Sequence, residues 1–246
     1  MAKILGYQVA TNTTVYKETE VKEIEEMFEF LSSLEVDGHT ISPGYDYDAA
    51  KKDMVKRLGK DPAEFFLTRQ MTREKFKDIE KWGQKFTIFG TPVYQEFLAG
   101  KREIRCSAWA IPTRNIRGWK APCYLMTDGH YSGYQEMLDS VQWDKYGVVD
   151  GKARDPRCKD CMVHCGYDPS GALGVDAKRG DTWKNIKYNF GKKPAPFREG
   201  AKVMAFNGAT IGKGHLAEAK AVINDADKPK SVFQSRESEA SVSQCE

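Results

Sequence analysis

Between residues 20 and 35, apolar side chains recur every three or four positions. Val21, Ile24, Phe28 and Leu31 form one stripe, and Met27 and Leu34 widen it. That period is the signature of an α-helix that buries one face. Asp37-Gly38 ends the stripe, glycine being suited to a left-handed cap. A short strand pattern precedes the helix at 6–12 and runs out into the polar Asn12-Thr13-Thr14. A second follows at 39–42 and leads into Pro43-Gly44-Tyr45. The segment 45–67 is charged and without a clean period, which predicts a loop with some helix.

Thr72 is placed to cap a second helix, with Met71 and Phe76 stapled across its start and Phe76, Ile79 and Trp82 on its buried face. A third strand is expected at 86–89. Pro92 opens a short helix carrying Val93, Tyr94, Phe97 and Leu98. Strands that alternate with helices predict an α/β fold with a parallel sheet and crossover helices. A closed barrel of this kind takes eight strands and about 250 residues, so three strands make only part of one. From 100 to 171 the texture changes to short turns, aromatics and cysteines. Residues 181–214 are rich in Lys, Gly and Pro with short apolar runs. A modest helix at 215–224 precedes a polar tail, 225–246, of disorder-like composition. There is no internal repeat. The glycines at 208, 212 and 214 lack the Lys-Ser/Thr ending of a phosphate loop and read as a flexible segment.

Hydrophobic residues make up 40% of the 246 and charged residues 30%, enough for a sizeable core. With 38 basic and 35 acidic side chains, the net charge of +3 argues against a dedicated nucleic-acid binder. No apolar run reaches the roughly 18 residues of a membrane span, and the N-terminus lacks the apolar core of a secretory signal. The expectation is a soluble cytoplasmic protein with no transmembrane segment, free to visit a membrane surface to reach a substrate. Six cysteines then call for a reason, because stable disulfides are rare in that compartment. Five of them fall between residues 106 and 165. The sixth, Cys245, lies in the polar tail and reads as a tail cysteine.

Cys158 and Cys161 form a C-x2-C pair, whose tight turn points both sulfurs at one centre. Cys106 and Cys123 can complete a tetrahedral set. Basic neighbours Arg105, Lys120, Arg157 and Lys159 could offset the negative charge of thiolates. Spacing alone leaves zinc and iron–sulfur open, and four unligated cysteines in this order are the weaker alternative. Cys165 is open between a fifth thiol, an alternative ligand and a small hydrophobe, the last preferred; His164 could ligate zinc, but a histidine beside a turn is more often an ordinary polar residue.

The pattern Cys106-x11-Gly118-x4-Cys123, followed by Cys158-x2-Cys161, resembles the twitch or SPASM-type auxiliary-cluster module of radical SAM enzymes. The runs at 118–129, 143–147, 155–161 and 165–169 resemble the C-terminal region of the adenosyl-hopene transferase family of hopanoid biosynthesis. Upstream, 12–14, 42–45 and 97–100 extend that likeness, which covers about residues 4–170.

The resemblance implies a partial radical SAM β/α barrel over 1–100, an auxiliary [4Fe–4S] module over 101–174 and a poorly structured extension over 175–246. It implies cluster ligands at Cys106, Cys123, Cys158 and Cys161. At the strand ends it implies contacts to S-adenosylmethionine from Asn12, Thr13, Thr14, Ser42 and Gly44; without it, these would read as strand ends bonding their own turns. The implied chemistry is addition of a 5′-deoxyadenosyl radical to an apolar isoprenoid such as diploptene. The family's C-x3-C-x2-C triad is missing from the chain, so S-adenosylmethionine cleavage would need a complementary N-terminal half. A zinc-stabilised binding module, or an inactive fragment, is the reading from a different class. Tyr45, Tyr47, Trp109 and Trp119 could line an apolar substrate cavity, although aromatics at this density are more often ordinary core; Asp128, His130 and Tyr131 lie in the family-like stretch, and a solvated turn explains them equally well.

Overall fold

Two parallel strands open the described part of the chain, β1 (Ala10–Val15) and β2 (Gly38–Pro43), joined by helix α1 (Val21–Ser33). The computed structural model describes residues 8–45, 47–59 and 61–191. Strand β1 starts and ends later than the apolar pattern predicts, so Asn12, Thr13 and Thr14 lie within it. Thr13, Thr14 and Val15 are β-branched and favour extended backbone. Burial alternates along the strand down to the fully buried Val15. The register runs from Ala10 opposite Gly38 to Val15 opposite Pro43.

Helix α1 buries Ile24 and Phe28 as its stripe predicts, and the Glu23 carboxylate accepts from the Glu20 N–H at 2.8 Å. Its end differs from the expectation. Glu35 takes the left-handed conformation, with φ 60°, and Gly38 belongs to β2. A side chain at Gly38 would put Cβ within 2.7 Å of the Phe89 ring, so close packing is what asks for glycine there. His39 on β2 is buried, bonded through Nδ1 to Thr11 Oγ1 (2.8 Å) and through Nε2 to Ser32 Oγ (3.1 Å). Burial holds its pKa below the ordinary histidine value. The strand expected at 86–89 is reduced to one parallel bridge, Ile88 to His39, and among the described residues no barrel closes.

Helix α2 (Asp48–Leu58) and a 3-10 turn at Pro62–Glu64 fill the charged segment. The predicted helix start at Thr72 is corrected. Thr68 caps α3 (Arg69–Lys75), its hydroxyl accepting from Met71 N at 3.3 Å, and the buried Thr72 donates to Thr68 O at 3.0 Å. Beginning one turn earlier aligns Thr72, Phe76 and Ile79 as a single buried row. A separate helix, α4 (Ile79–Lys85), buries Trp82. Helix α5 (Pro92–Leu98) starts as expected, with Pro92 in its first turn and Thr91 as cap. Val15, Phe28, Phe76, Trp82, Phe97 and Leu98 belong to the main apolar core, which Met162 and Tyr167 join from further along the chain.

The second half is built from smaller pieces. Strands β3 (Thr113–Asn115), β4 (Gly118–Pro122) and β5 (Thr127–Tyr131) form an antiparallel sheet in that order, followed by α6 (Tyr134–Ser140). A two-residue hairpin pairs β6 (Val148–Val149) with β7 (Lys152–Ala153), and α7 (His164–Leu173) follows the cysteine loop. Helix α8 (Asp181–Gly191) stands where a structureless extension was expected. Tertiary bonds account for it. Asp181 accepts from buried Arg102 at 2.9 and 3.0 Å, and Tyr188 donates to Ile88 O at 2.6 Å. The glycine run from 208, the predicted helix at 215–224, the tail and Cys245 lie outside the described residues.

Candidate metal centre

Four separate segments carry the cysteines, and the loop around Cys158 and Cys161 is held by one local cap and several long-range bonds. Asp155 caps the turn Pro156–Cys158, accepting from Arg157 N at 2.8 Å. The Arg157 guanidinium then clamps Asp128 on β5 through two bonds of 2.6 and 2.8 Å and also pairs with Asp155. Tyr146 adds a bond to Asp128 at 3.0 Å. The following loop is tied to the first half: Arg69 donates to Cys161 O at 3.0 Å, and Tyr94 donates to Met162 O at 2.9 Å. Arg69 also lies over the Phe97 ring at 4.9 Å, and that ring stacks on Tyr167 at 4.4 Å. Thr91 holds Asp168 at the far side of α7 through bonds of 2.7 and 2.8 Å.

These ties bring the side chains of Cys106, Cys123, Cys158 and Cys161 around one cavity of about 50 Å³. Cys165 lines it too, so the fifth thiol is more than a small hydrophobe, although it also packs on Tyr45 and Val163. Two glycines make room. Gly147, at φ 84°, sits against Cys106 Cβ and sends its N–H to Cys158 Sγ at 3.3 Å. A Cβ on Gly166 would lie 2.3 Å from Cys106 Sγ. Among the described residues, no three His, Cys, Asp or Glu side chains meet closely enough to hold a single metal ion.

Main-chain amides near the sulfurs favour the thiolates, the one at Gly147 through a hydrogen bond to Cys158 Sγ of 3.3 Å. Hydrogen bonds of this kind favour the thiolate over the thiol. Burial opposes them and pushes all five thiols up, with the charges of neighbouring cysteines adding to the rise at Cys106, Cys161 and Cys165. Lys120 and Arg157 pull the other way at Cys123. Arg105 is engaged elsewhere, with Asp176 at 2.9 Å. A cation in the cavity would invert this balance, since it stabilises every thiolate at once.

A larger cleft of about 1040 Å³ adjoins the cavity; Tyr45, Tyr47, Leu125 and Val163 line both. Of the five positions expected to contact S-adenosylmethionine, Asn12, Thr14, Ser42 and Gly44 line this cleft. Thr13 does not. The strand pleat turns it to the helix side, where its hydroxyl meets Met27 Sδ at 3.5 Å. Ser42 Oγ is bonded to His164 Nδ1 at 2.8 Å, which joins the end of β2 to the start of α7. Burial lowers the His164 pKa.

Tyr45 and Tyr47, which the sequence leaves open between cavity lining and ordinary core, stand at the site, and so does Cys165, left open between a further thiol ligand and a small hydrophobe. Trp119 instead packs on Tyr134, at 5.3 Å. Asp128, His130 and Tyr131 lie on β5, with His130 bonded to Asn115 at 3.0 Å.

Together, fold and site define a mixed helix–strand domain with small sheets and a thiol-lined cavity beside a wide cleft. Residues 39–185 match the model of a domain of unknown function, DUF3463, and the chain belongs to that family. The match crosses both expected boundaries, near 100 and near 174, and takes in β2, the cysteine loops and the first part of α8. No curated protein and no solved structure matches the chain. Among the described residues, no helix is long and apolar enough to cross a membrane.

Proposed function

We propose that the cysteine-lined cavity binds a [4Fe–4S] cluster, and that the chain is the auxiliary-cluster portion of a radical SAM transferase. One observation carries the cluster reading: five cysteines from four segments surround a single cavity, and the Gly147 N–H sits on one of the sulfurs, Cys158 Sγ. Soft thiolates arranged around a void suit a multi-iron core, in which each cysteine takes its own iron. One zinc at about 2.3 Å from each sulfur would draw them to a single point. Cys106, Cys123, Cys158 and Cys161 are the proposed ligands.

The transferase part of the reading rests on the sequence resemblance. The parallel β1–α1–β2 unit and the polar strand positions beside the cluster cavity agree with it. When bound, the cluster supplies one-electron redox capacity. The chain's own residues do the rest. The turn amides spread the thiolate charge, and Val163 and Leu125 limit water at the cavity wall. Asn12, Thr14, Ser42 and Gly44 offer hydrogen-bonding groups to a polar ligand in the cleft, with Tyr16, Phe65 and Phe66 providing apolar surface for an isoprenoid-like substrate. Without the C-x3-C-x2-C triad, the chain is expected to need an N-terminal half to cleave S-adenosylmethionine.

Anaerobic purification followed by iron, sulfide and zinc analysis tests the cluster. Four irons and four sulfides per chain, with broad absorbance near ~400 nm, are expected. A colourless protein carrying one zinc rejects the proposal in favour of a structural zinc module.

A further inference from the structure

We infer that the Tyr45 phenol is a hydrogen-bond donor to the cluster, and that its ring is a wall between the cluster and the cleft. This rests on the iron–sulfur reading above. Tyr45 is 8% exposed, yet its hydroxyl oxygen is buried and has no hydrogen-bond partner among the described residues. A buried donor left unpaired costs free energy, so such a group in a folded protein asks for a partner. The other buried polar atoms without partners lie on Arg73, Arg102 and Asn185, none of which lines the cysteine cavity. Tyr45 lines both that cavity and the cleft, packed on Val163 and Cys165 with Leu125 and Cys161 against them.

The chemistry of the surroundings identifies the partner. A phenol keeps its proton throughout the neutral range, so the Tyr45 hydroxyl is a donor there. Neutral thiols are weak acceptors, which leaves that donor poorly served. Cluster-bound thiolates and sulfides carry negative charge and accept strongly. A hydrogen bond to a cluster sulfur stabilises the reduced, more negative form and so raises the reduction potential. The ring does a separate task. Standing between two cavities, it keeps water and small solutes in the cleft away from the irons.

The test uses the full chain, reconstituted anaerobically with iron and sulfide, and compares Tyr45→Phe, Tyr45→Ala and Tyr134→Phe with wild type, Tyr134 lying outside the cavity with its hydroxyl on Trp109 O. Tyr45→Phe should hold as much iron as wild type and titrate at a more negative midpoint, whereas Tyr134→Phe titrates with wild type. Tyr45→Ala should lose iron to a soluble chelator several-fold faster, while Tyr45→Phe loses it at the wild-type rate. If Tyr45→Phe does not load, Tyr45→Gln, which restores a donor, should recover both iron and midpoint. A Gln variant that also stays empty overturns the inference. A loaded Tyr45→Phe with the wild-type midpoint overturns the donor role, and a Tyr45→Ala as chelator-resistant as wild type overturns the wall. If wild type itself takes up no iron and sulfide, the cluster reading fails and this inference fails with it; the other negative outcomes leave that reading standing.

Discussion

The two halves of the described chain are stabilised in different ways. Around β1, β2 and the helices up to α5, large apolar side chains do the work. Most of the main core lies before residue 105, and Phe28, Phe76, Phe97 and Leu98 are fully buried. Between 106 and 165 only a few apolar residues reach that core or the small cluster of Tyr45, Val163 and Cys165. That half is held by ion pairs, turn amides and five cysteines in one place. A region too small to build its own core needs another bond to organise it, and inorganic ligation is a common solution. The comparison predicts that the halves will fail differently.

The largest separation should come from the cysteines. Cys123→Ser or Cys158→Ser should abolish most iron binding while leaving far-UV circular dichroism from the helical first half nearly unchanged. Cys245→Ser should leave iron at the wild-type level. Equal iron loss in all three variants would contradict the ligand assignment. Cys165→Ser shows which four of the five thiols serve: it should retain iron if Cys106, Cys123, Cys158 and Cys161 are the set.

The converse experiment breaks the first half. Phe97 is fully buried against both the Tyr167 ring and the Arg69 guanidinium. Phe97→Ala should cost about 3–5 kcal/mol of unfolding free energy, read by denaturant titration of the iron-loaded chain. A loss under 1 kcal/mol would mean that the core does not bear the stability assigned to it. Because Tyr167 packs on both Phe97 and the cysteine loop, the variant should also weaken iron retention, by less than a ligand substitution does.

The same contrast explains what could be read from the sequence. Helix α1 was legible because its stripe has a strong 3.6-residue period and an acidic residue placed to bond its first turn. Strand β2 and the start of α5 were legible for similar local reasons. The start of α3 was not, since Thr68 and Thr72 are both competent caps four residues apart and only burial of the Thr72–Phe76–Ile79 row decides between them. Helix α8 was hidden because its anchors, Arg102 and Ile88, are distant in sequence. In the site, the spacing of four cysteines pointed to one centre, whereas the placement of Tyr45 and Cys165 was decided only once the chain had folded around them. Thr13 looked equivalent to its neighbours until the strand pleat assigned it to the opposite face.

A gentler test of the second half uses the cavity wall. Gly166→Ala would bring a methyl group to 2.3 Å from Cys106 Sγ if nothing moved. The sulfur or α7 must therefore shift, and iron retention should fall partway towards that of a Cys106→Ser variant. Gly174→Ala, at the opposite end of α7, meets only Ala177 at 3.7 Å but needs a left-handed backbone at φ 73°. It should therefore destabilise the fold slightly without changing the iron content. Retention at the wild-type level in Gly166→Ala would remove Cys106 from the ligand set.

The smallest effect belongs to the clamp that fixes the cysteine turn. Arg157 hydrogen-bonds Asp128 and holds its carboxyl below the ordinary aspartate range, burial opposing the shift. Both side chains are more than a third exposed, so water screens the pair and its worth is about 0–1 kcal/mol. The sign follows from linkage. A carboxyl whose pKa is depressed in the folded state adds stability above the unfolded-state value, near 3.9, and loses it as pH falls through the folded value. Asp128→Asn should therefore lower stability slightly at pH 7, and the difference from wild type should shrink towards zero as pH falls through the depressed folded-state pKa of Asp128. Chemical denaturation of the two chains at matched pH measures this. A gap that widened in acid would show that Asp128 acts through its bond from Tyr146 rather than through its charge.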